Sequence, residues 1–237
     1  PHNPTGYSLT RKEADEITTL LRQRAEQGEK LAVFMDDAYF GLTYEQGLQQ
    51  ESLFARIADL HENILAVKID GATKEDFAWG LRVGFITFSA QQIEHDTCEA
   101  LADKTAGVVR STISSSCRLS QNLLLRAFES DSYREDKKAI FQILKKRYER
   151  VKSVLSDNQE KYASCFTALP FNSGYFMCIE LQSPLDAEEI RKELLDKHDI
   201  GVISIQNKLR IAFSSVAEKD IPLIFDSIYQ ACRKRVG

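Results

Sequence analysis

No apolar run in the sequence approaches the ~20 residues that a membrane helix requires, so a bilayer-spanning segment is not expected. Basic charge is not in surplus either. The formal net charge of -4 argues against nucleic acid or an anionic membrane as the main partner. Glycine and proline are few, and there is neither a low-complexity tract nor an internal repeat, so linker-like and solenoid architectures fall away. Paired cysteines are missing as well. The five (Cys98, Cys117, Cys165, Cys178 and Cys232) are scattered, odd in number and never in a CxxC arrangement. That pattern excludes a disulfide framework and a zinc site, and suits reduced thiols in the cytoplasm. His2, His61, His95 and His198 lack metal-ligand spacing, so no metal is expected and they read as surface or capping residues. There is no signal peptide and no initiating Met: Pro1 opens directly onto Pro1-His2-Asn3-Pro4-Thr5-Gly6, which points to a segment removed upstream.

What remains is a chain of 237 residues, 43% hydrophobic and 28% charged, long enough to bury a core as one large domain or two small ones. Thr10-Arg11-Lys12-Glu13 is a capping box, followed by Ala14, Ile17, Leu21 and Ala25 at helical spacing and by Gly28 as a stop. The apolar runs 31–35, 64–69 and 83–88 read as strands buried on both faces, with a helix over 52–61 between the first two. Helix alternating with buried strand signals a parallel sheet, hence an α/β fold. Helices are expected over 91–106 and 118–129. A longer one starts at Ser132 with Ile140, Ile143, Leu144, Val151 and Leu155 on one side. The last third, with strands 175–181, 202–205 and 209–213 and helices 186–197 and 218–235, makes an α+β unit. A cut near residue 130 therefore separates a larger α/β part, 1–130, from a smaller α+β part, 131–237.

Three features carry chemistry. Asp36 and Tyr39 lie just beyond the carboxyl end of the first buried strand, where open α/β sheets bind ligands. An Asp there suits a protonated ring nitrogen, and a phenol three residues on reaches a nearby oxyanion. Lys74 and Arg82 bracket a turn with Gly80 and Trp79; lysine amines bond covalently to carbonyl cofactors, and the planar guanidinium suits a phosphate dianion. Lys68 competes for the lysine role, but it lies within an apolar strand and has no Arg eight positions on. Arg210, between apolar neighbours in Lys208-Leu209-Arg210-Ile211-Ala212-Phe213, needs an anion or solvent. Singly, each has a bland counterpart: a capped loop, surface cations, an edge-strand ion pair.

Together and in this order, these segments resemble the active-site motifs of fold-type I aminotransferases, the aspartate aminotransferase family of class I/II pyridoxal-phosphate enzymes. Asn3-Pro4-Thr5-Gly6 is similar to the family's Asn-Pro-Thr-Gly motif, and Asp36 with Tyr39 to its Asp-x-x-Tyr pair. Lys74 matches the Schiff-base lysine, Arg82 the phosphate arginine and Arg210 the arginine for the substrate α-carboxylate. The resemblance implies a partial aspartate aminotransferase-like fold, a mostly parallel sheet with helices on both faces, with 1–130 belonging to the large cofactor domain and 131–237 forming the small α+β one. It implies pyridoxal 5'-phosphate as cofactor, bound by Asn3, Asp36, Tyr39, Lys74 and Arg82, with Lys74 catalytic. It further implies amino acid and 2-oxo acid substrates and a homodimer. Asn3 and Arg210 would bind substrate, and Arg110, in a segment 110–114 similar to the family's partner-site loop, would read a distal carboxylate. Two departures stand out. Gly71 occupies the position, three before the lysine, where the family often has a phosphate-binding Ser. The part of the family chain that precedes the Asn-Pro-Thr-Gly motif, with its phosphate loop, is absent. The expected activity is amino transfer in the intact enzyme; a β-lyase or decarboxylase on the same fold, and a non-catalytic fragment or regulator module, are the alternatives.

Overall fold

The computed structural model describes residues 1–236. Its first helix begins where the capping box requires. The Thr10 N–H donates to Glu13 Oε2 at 2.7 Å, and the Glu13 N–H donates to Thr10 Oγ1 at 3.2 Å. From this cap α1 runs over Arg11–Glu26 and buries Ala14 and Ala25. There follow β1 (Leu31–Asp36), the one-turn α2 (Phe54–Ile57), β2 (Ile64–Asp70), the one-turn α3 (Ala72–Glu75) and β3 (Phe85–Ala90). Three longer helices come next: α4 (His95–Thr112), α5 (Arg118–Phe128) and α6 (Tyr133–Asp157).

β1 and β2 pair in parallel, from Leu31 opposite Ile64 to Asp36 opposite Ile69. β3 runs antiparallel to β2, an exception within the mostly parallel sheet that was expected. The connection explains this. A parallel return needs a crossover, usually a full helix, whereas residues 71–84 hold only the single turn α3 and fold back along the strand they left. Burial is one-sided too. Leu31, Val33 and Met35 share a face with Ile64 and Ala66 and pack against Ala25, Leu21 and Ile57 of α1 and α2. On the opposite face Val67 is buried, but Phe34 is 64% exposed and Ile69 and Ile86 are exposed as well. The two-faced burial read from continuous apolar runs is therefore corrected: among the described residues α1 and α2 cover one side, and α4 buries none of its residues.

The C-terminal part adds α7 (Gln159–Ala163), β4 (Phe166–Ala168), β5 (Met177–Leu181), α8 (Ala187–His198), β6 (Ile203–Ile205), β7 (Lys208–Ile211) and α9 (Ile221–Val236). Its four strands form an antiparallel sheet in the order β4-β5-β7-β6. Met177, Ile179, Leu209, Ile211 and Phe213 are fully buried with Ile190 and Leu194 of α8 and Phe225 of α9. In α6 the buried residues are Leu144, Tyr148, Val151 and Val154, while Ile143 is 51% exposed. The helical stripe thus passes through Tyr148, four residues after Leu144, and not through Ile143, which lies a quarter-turn away.

The chain divides into two compact units, neither continuous in sequence. One comprises Pro1–Ser8, Leu42–Gln46 and Lys138–Gly237, the other Leu9–Gly41 and Gly47–Lys137. Compared with a single cut after residue 130, residues 131–137 fall with the unit that precedes them, and Pro1–Ser8 and Leu42–Gln46 change sides because backbone hydrogen bonds tie them to the C-terminal part. The Asn172 and Ser173 N–H groups donate to the Gly6 carbonyl at 3.0 Å, and the Gly174 N–H donates to the Leu42 carbonyl at 2.8 Å.

Glu193 of α8 anchors the C-terminal unit electrostatically. It is 6% exposed, accepts from Lys234 at 3.2 Å and from Arg235, and lies 3.5 Å from Lys197. The Arg235 hydrogen bond, opposed by burial and aided by Lys234, pulls its carboxyl down to about 2. A carboxylate lowered from about 4.5 contributes stability that is complete above that pH and is lost as the pH falls towards 2. Glu193→Gln is expected to lower the unfolding free energy at pH 7 by about 2 kcal/mol and to flatten the pH dependence between 4.5 and 2, as measured by urea unfolding.

Candidate active site

Parallel strands bring their carboxyl ends to one edge, and this edge collects most of the chemistry read from the sequence. Asp36 ends β1; directly after it, the Asp37 N–H donates to the Ile69 carbonyl at 2.8 Å. Asp36 and Ile69 are register partners, so their side chains share the open face of the sheet. The Asp36 carboxylate is exposed and accepts from the Ala38 N–H at 3.1 Å. Beyond β2, residues 70–84 fold back and border an open recess of about 250 Å³ whose lining includes Ala38, Ile69, Asp70, Thr73, Lys74 and Arg82.

Lys74 sits half-buried on α3, its Nζ 5.1 Å from the centroid of the Tyr39 ring. Arg82 is exposed and holds a left-handed backbone, with φ 56°, which a non-glycine residue adopts at a cost of roughly 1 kcal/mol. Residues held in this region cluster at binding and catalytic sites. Lys68 is committed elsewhere: it pairs with Asp70, and its ammonium lies 5.4 Å from the Phe40 ring. The glycine at 71 has a steric cause. A Cβ there would stand 2.6 Å from the Val83 carbonyl oxygen and 3.1 Å from the Gly84 Cα. Residue 71 therefore brings only backbone to the recess, and the hydroxyl at hand is that of Thr73, which the sequence reading did not single out.

Asn3 and Arg210 belong to the other unit. The Arg210 Nη1 donates to Asn3 Oδ1 at 2.9 Å, and the guanidinium carbon lies 4.3 Å from the Phe176 ring centroid. Arg210 Nε is buried and has no hydrogen-bond partner. A buried guanidinium donor left unsatisfied is costly, and an anion presenting two oxygens is its natural complement. Gly6 lets the Asn3-Pro4-Thr5-Gly6 turn come this close. Its φ is 73°, and a Cβ would fall 2.0 Å from the Phe176 carbonyl oxygen. Opposite Arg210 in register, Cys178 donates its thiol to the Pro4 carbonyl at 3.3 Å; burial pushes that thiol up, with Arg210 and Lys208 opposing.

Arg110 differs from its expected setting. It lies in the last turn of α4, not in a loop, and its Nη1 donates to Ser114 Oγ at 3.0 Å. The helix runs on to Thr112 because nothing breaks it before Ser114, which turns to φ 69°. His95, Asp96 and Glu99 come within 4.8 Å of one another at the exposed start of α4, a grouping that histidine spacing alone missed.

These motifs can be set beside known proteins. The family model for aminotransferase class I and II matches residues 1–228. The chain belongs to that family. No curated protein matches it. Among solved structures, an aminotransferase from Anaerococcus prevotii is similar at 27% identity with a TM-score of 0.81, over 98% of this chain and 54% of that one. An aromatic aminotransferase from Pyrococcus horikoshii shares the fold at 16% identity and a TM-score of 0.75, over 99% and 58%. An α-aminoadipate aminotransferase from Thermus thermophilus, solved with N-(5'-phosphopyridoxyl)-L-leucine, does so at 18% and 0.74, over 98% and 56%. The fold is thus the aspartate aminotransferase-like α/β fold, and this family member spans little more than half the length of those chains.

Gly71→Ser, which installs the hydroxyl common in the family, is expected to destabilise this chain by about 1–3 kcal/mol, because its Cβ overlaps the Val83 carbonyl. A fall of several degrees in Tm with faster amide exchange over 70–84 checks this. An unchanged Tm would show that the loop yields freely.

Proposed function

We propose that this chain is part of an enzyme that transfers an amino group between an amino acid and a 2-oxo acid, with Lys74 as the residue that carries pyridoxal 5'-phosphate. The observation that supports this most is the recess lined by both Lys74 and Arg82 at the carboxyl edge of β1 and β2, beside Tyr39 and in register with Asp36. The donor set fits the cofactor: an amine for its carbonyl, a guanidinium for its phosphate and a carboxylate for its ring nitrogen. The close approach at Gly71 leaves backbone rather than a side chain against the recess.

When bound, pyridoxal phosphate supplies an electron sink for the charge left at the substrate Cα. Lys74 would hold the cofactor through its amine and, as the base at Nζ, would take the substrate Cα proton and return it. Asp36 keeps the ring nitrogen protonated. Tyr39 would donate to the ring oxygen and Arg82 would hold the phosphate as a dianion; Asn3, in the other unit, is assigned to the cofactor on the resemblance alone. In its own unit Arg210, braced by Asn3 and stacked on Phe176, orients a substrate α-carboxylate with the donor that has no protein partner. Arg110 is assigned a distal carboxylate on the resemblance alone. A homodimer in the cytoplasm belongs to the same proposal: Val108, Ile113, Leu119 and Leu125 are exposed apolar residues suited to an interface, and Cys165, Cys178 and Cys232 are buried free thiols.

Borohydride reduction of the full-length protein with pyridoxal phosphate is expected to fix the cofactor on the peptide containing Lys74, and Lys74→Ala to abolish that adduct. Arg82→Met should weaken cofactor binding about tenfold or more, read by equilibrium dialysis. An adduct that survives Lys74→Ala would overturn the assignment. Keto acid released without an amino acceptor would redirect the reaction to a lyase.

A further inference from the structure

In the C-terminal sheet Met177, Ile179, Leu209 and Ile211 are buried on one face, so strand alternation turns Cys178, Glu180, Lys208 and Arg210 to the other. On that second face Glu180 and Lys208 are register partners and pair at 2.9 Å. Cys178 and Arg210 are register partners too, which sets their Cβ atoms about 5 Å apart. Cys178 is nevertheless only 1% exposed. The Asn3-Pro4-Thr5-Gly6 turn, part of the same compact unit, lies against it.

Two consecutive residues of this turn are thus held by two opposed residues of the sheet. The Pro4 carbonyl accepts from the Cys178 thiol at 3.3 Å, and Asn3 Oδ1 accepts from Arg210 Nη1 at 2.9 Å. The far end of the turn is fixed independently. There the Gly6 carbonyl accepts from the Asn172 and Ser173 N–H groups and from Ser173 Oγ, each at 3.0 Å. At the Asn3 end the thiol ties the turn to β5. Burial lifts that thiol above its ordinary range, with Arg210 and Lys208 opposing, so it stays protonated and able to donate at neutral pH. Arg210 is gripped by Asn3 Oδ1 and by the Phe176 ring, and its buried Nε has no protein acceptor. The direction in which Nε meets a ligand therefore follows from where Asn3 stands.

We infer that Cys178 is a positioning residue for Arg210: its thiol holds the Asn3-Pro4 peptide against β5, so that Asn3 Oδ1 fixes the guanidinium and leaves Nε as the donor for a carboxylate. The inference rests on the proposed carboxylate role of Arg210, and its test reads the guanidinium directly.

The Nε–H signal of Arg210 in arginine-labelled full-length protein, assigned with Arg210→Lys, reports two quantities by NMR. Relaxation gives the order of the guanidinium, and titration gives its affinity for acetate. Cys178→Ala is expected to lower the Nε–H order parameter and to weaken acetate binding about threefold. Cys178→Ser, whose hydroxyl also donates, should keep both near their original values. In an Asn3→Ala background Cys178→Ala should change neither further, because the thiol acts through Asn3. Unchanged order and affinity in Cys178→Ala, an equal loss in Cys178→Ser, or effects that add to those of Asn3→Ala would overturn the inference. If Cys178→Ala does not fold, Cys178→Val, which fills the space without a donor, takes its place with the same outcomes. The carboxylate role is scored separately. Acetate that leaves the Arg210 signal of the unaltered protein unmoved would remove that role, while the order parameters would still report whether Cys178 fixes the guanidinium.

Discussion

The hydrogen bond from the Asp37 amide to the Ile69 carbonyl ends the parallel ladder between β1 and β2, and the rest of the site depends on that ladder. Because the two strands run in the same direction, the chain leaves both of them at one edge. Asp36 and Tyr39 emerge there from β1, and Gly71, Thr73 and Lys74 from β2. An antiparallel pair would have sent these two groups to opposite ends of the sheet. The loop over 71–84 holds too little helix to cross the sheet and doubles back, so β3 starts at the same edge with Phe85 opposite Asp70, and Arg82, just before it, stays there.

Close approach of backbone is the second constraint. At Gly71 the chain passes so near Val83 that no side chain fits, and at Gly6 so near Phe176 that none fits there either. In both places a glycine exchanges a possible functional group for precise placement of its neighbours: Lys74 three residues after the first, Asn3 three residues before the second. The departure of residue 71 from the family's serine is therefore a packing consequence, not a missing piece.

Charge pairing sorts the cations by role. Lys68 is held by Asp70, Lys137 by Asp76 and Glu75, and the cationic tail of α9 by Glu193. Lys74 and Arg82 line a recess, and Arg210 keeps a buried Nε without a protein acceptor. A buried donor left without an acceptor, as at Arg210, is the kind of group that an anion completes.

Much of this was legible in the residues alone. The capping box at Thr10 and Glu13 and the order of the main helices and strands follow from local spacing, because caps, periodicity and turn chemistry are short-range; the set Asn3, Asp36, Tyr39, Lys74, Arg82 and Arg210 came from the resemblance of its motifs to the family. One-sided burial of β1, the direction of β3, the helical setting of Arg110, and the affiliation of Pro1–Ser8 and Leu42–Gln46 were not legible. An apolar run looks the same whether one face is covered or two, and a short loop does not announce which way the next strand will run. The sequence by itself nominated the side chains proposed to carry the chemistry. Only the tertiary structure decided which of them share a recess, why residue 71 must be glycine, and that Cys178 holds the Pro4 carbonyl 174 positions before it, since contacts between residues far apart in the chain leave no local trace.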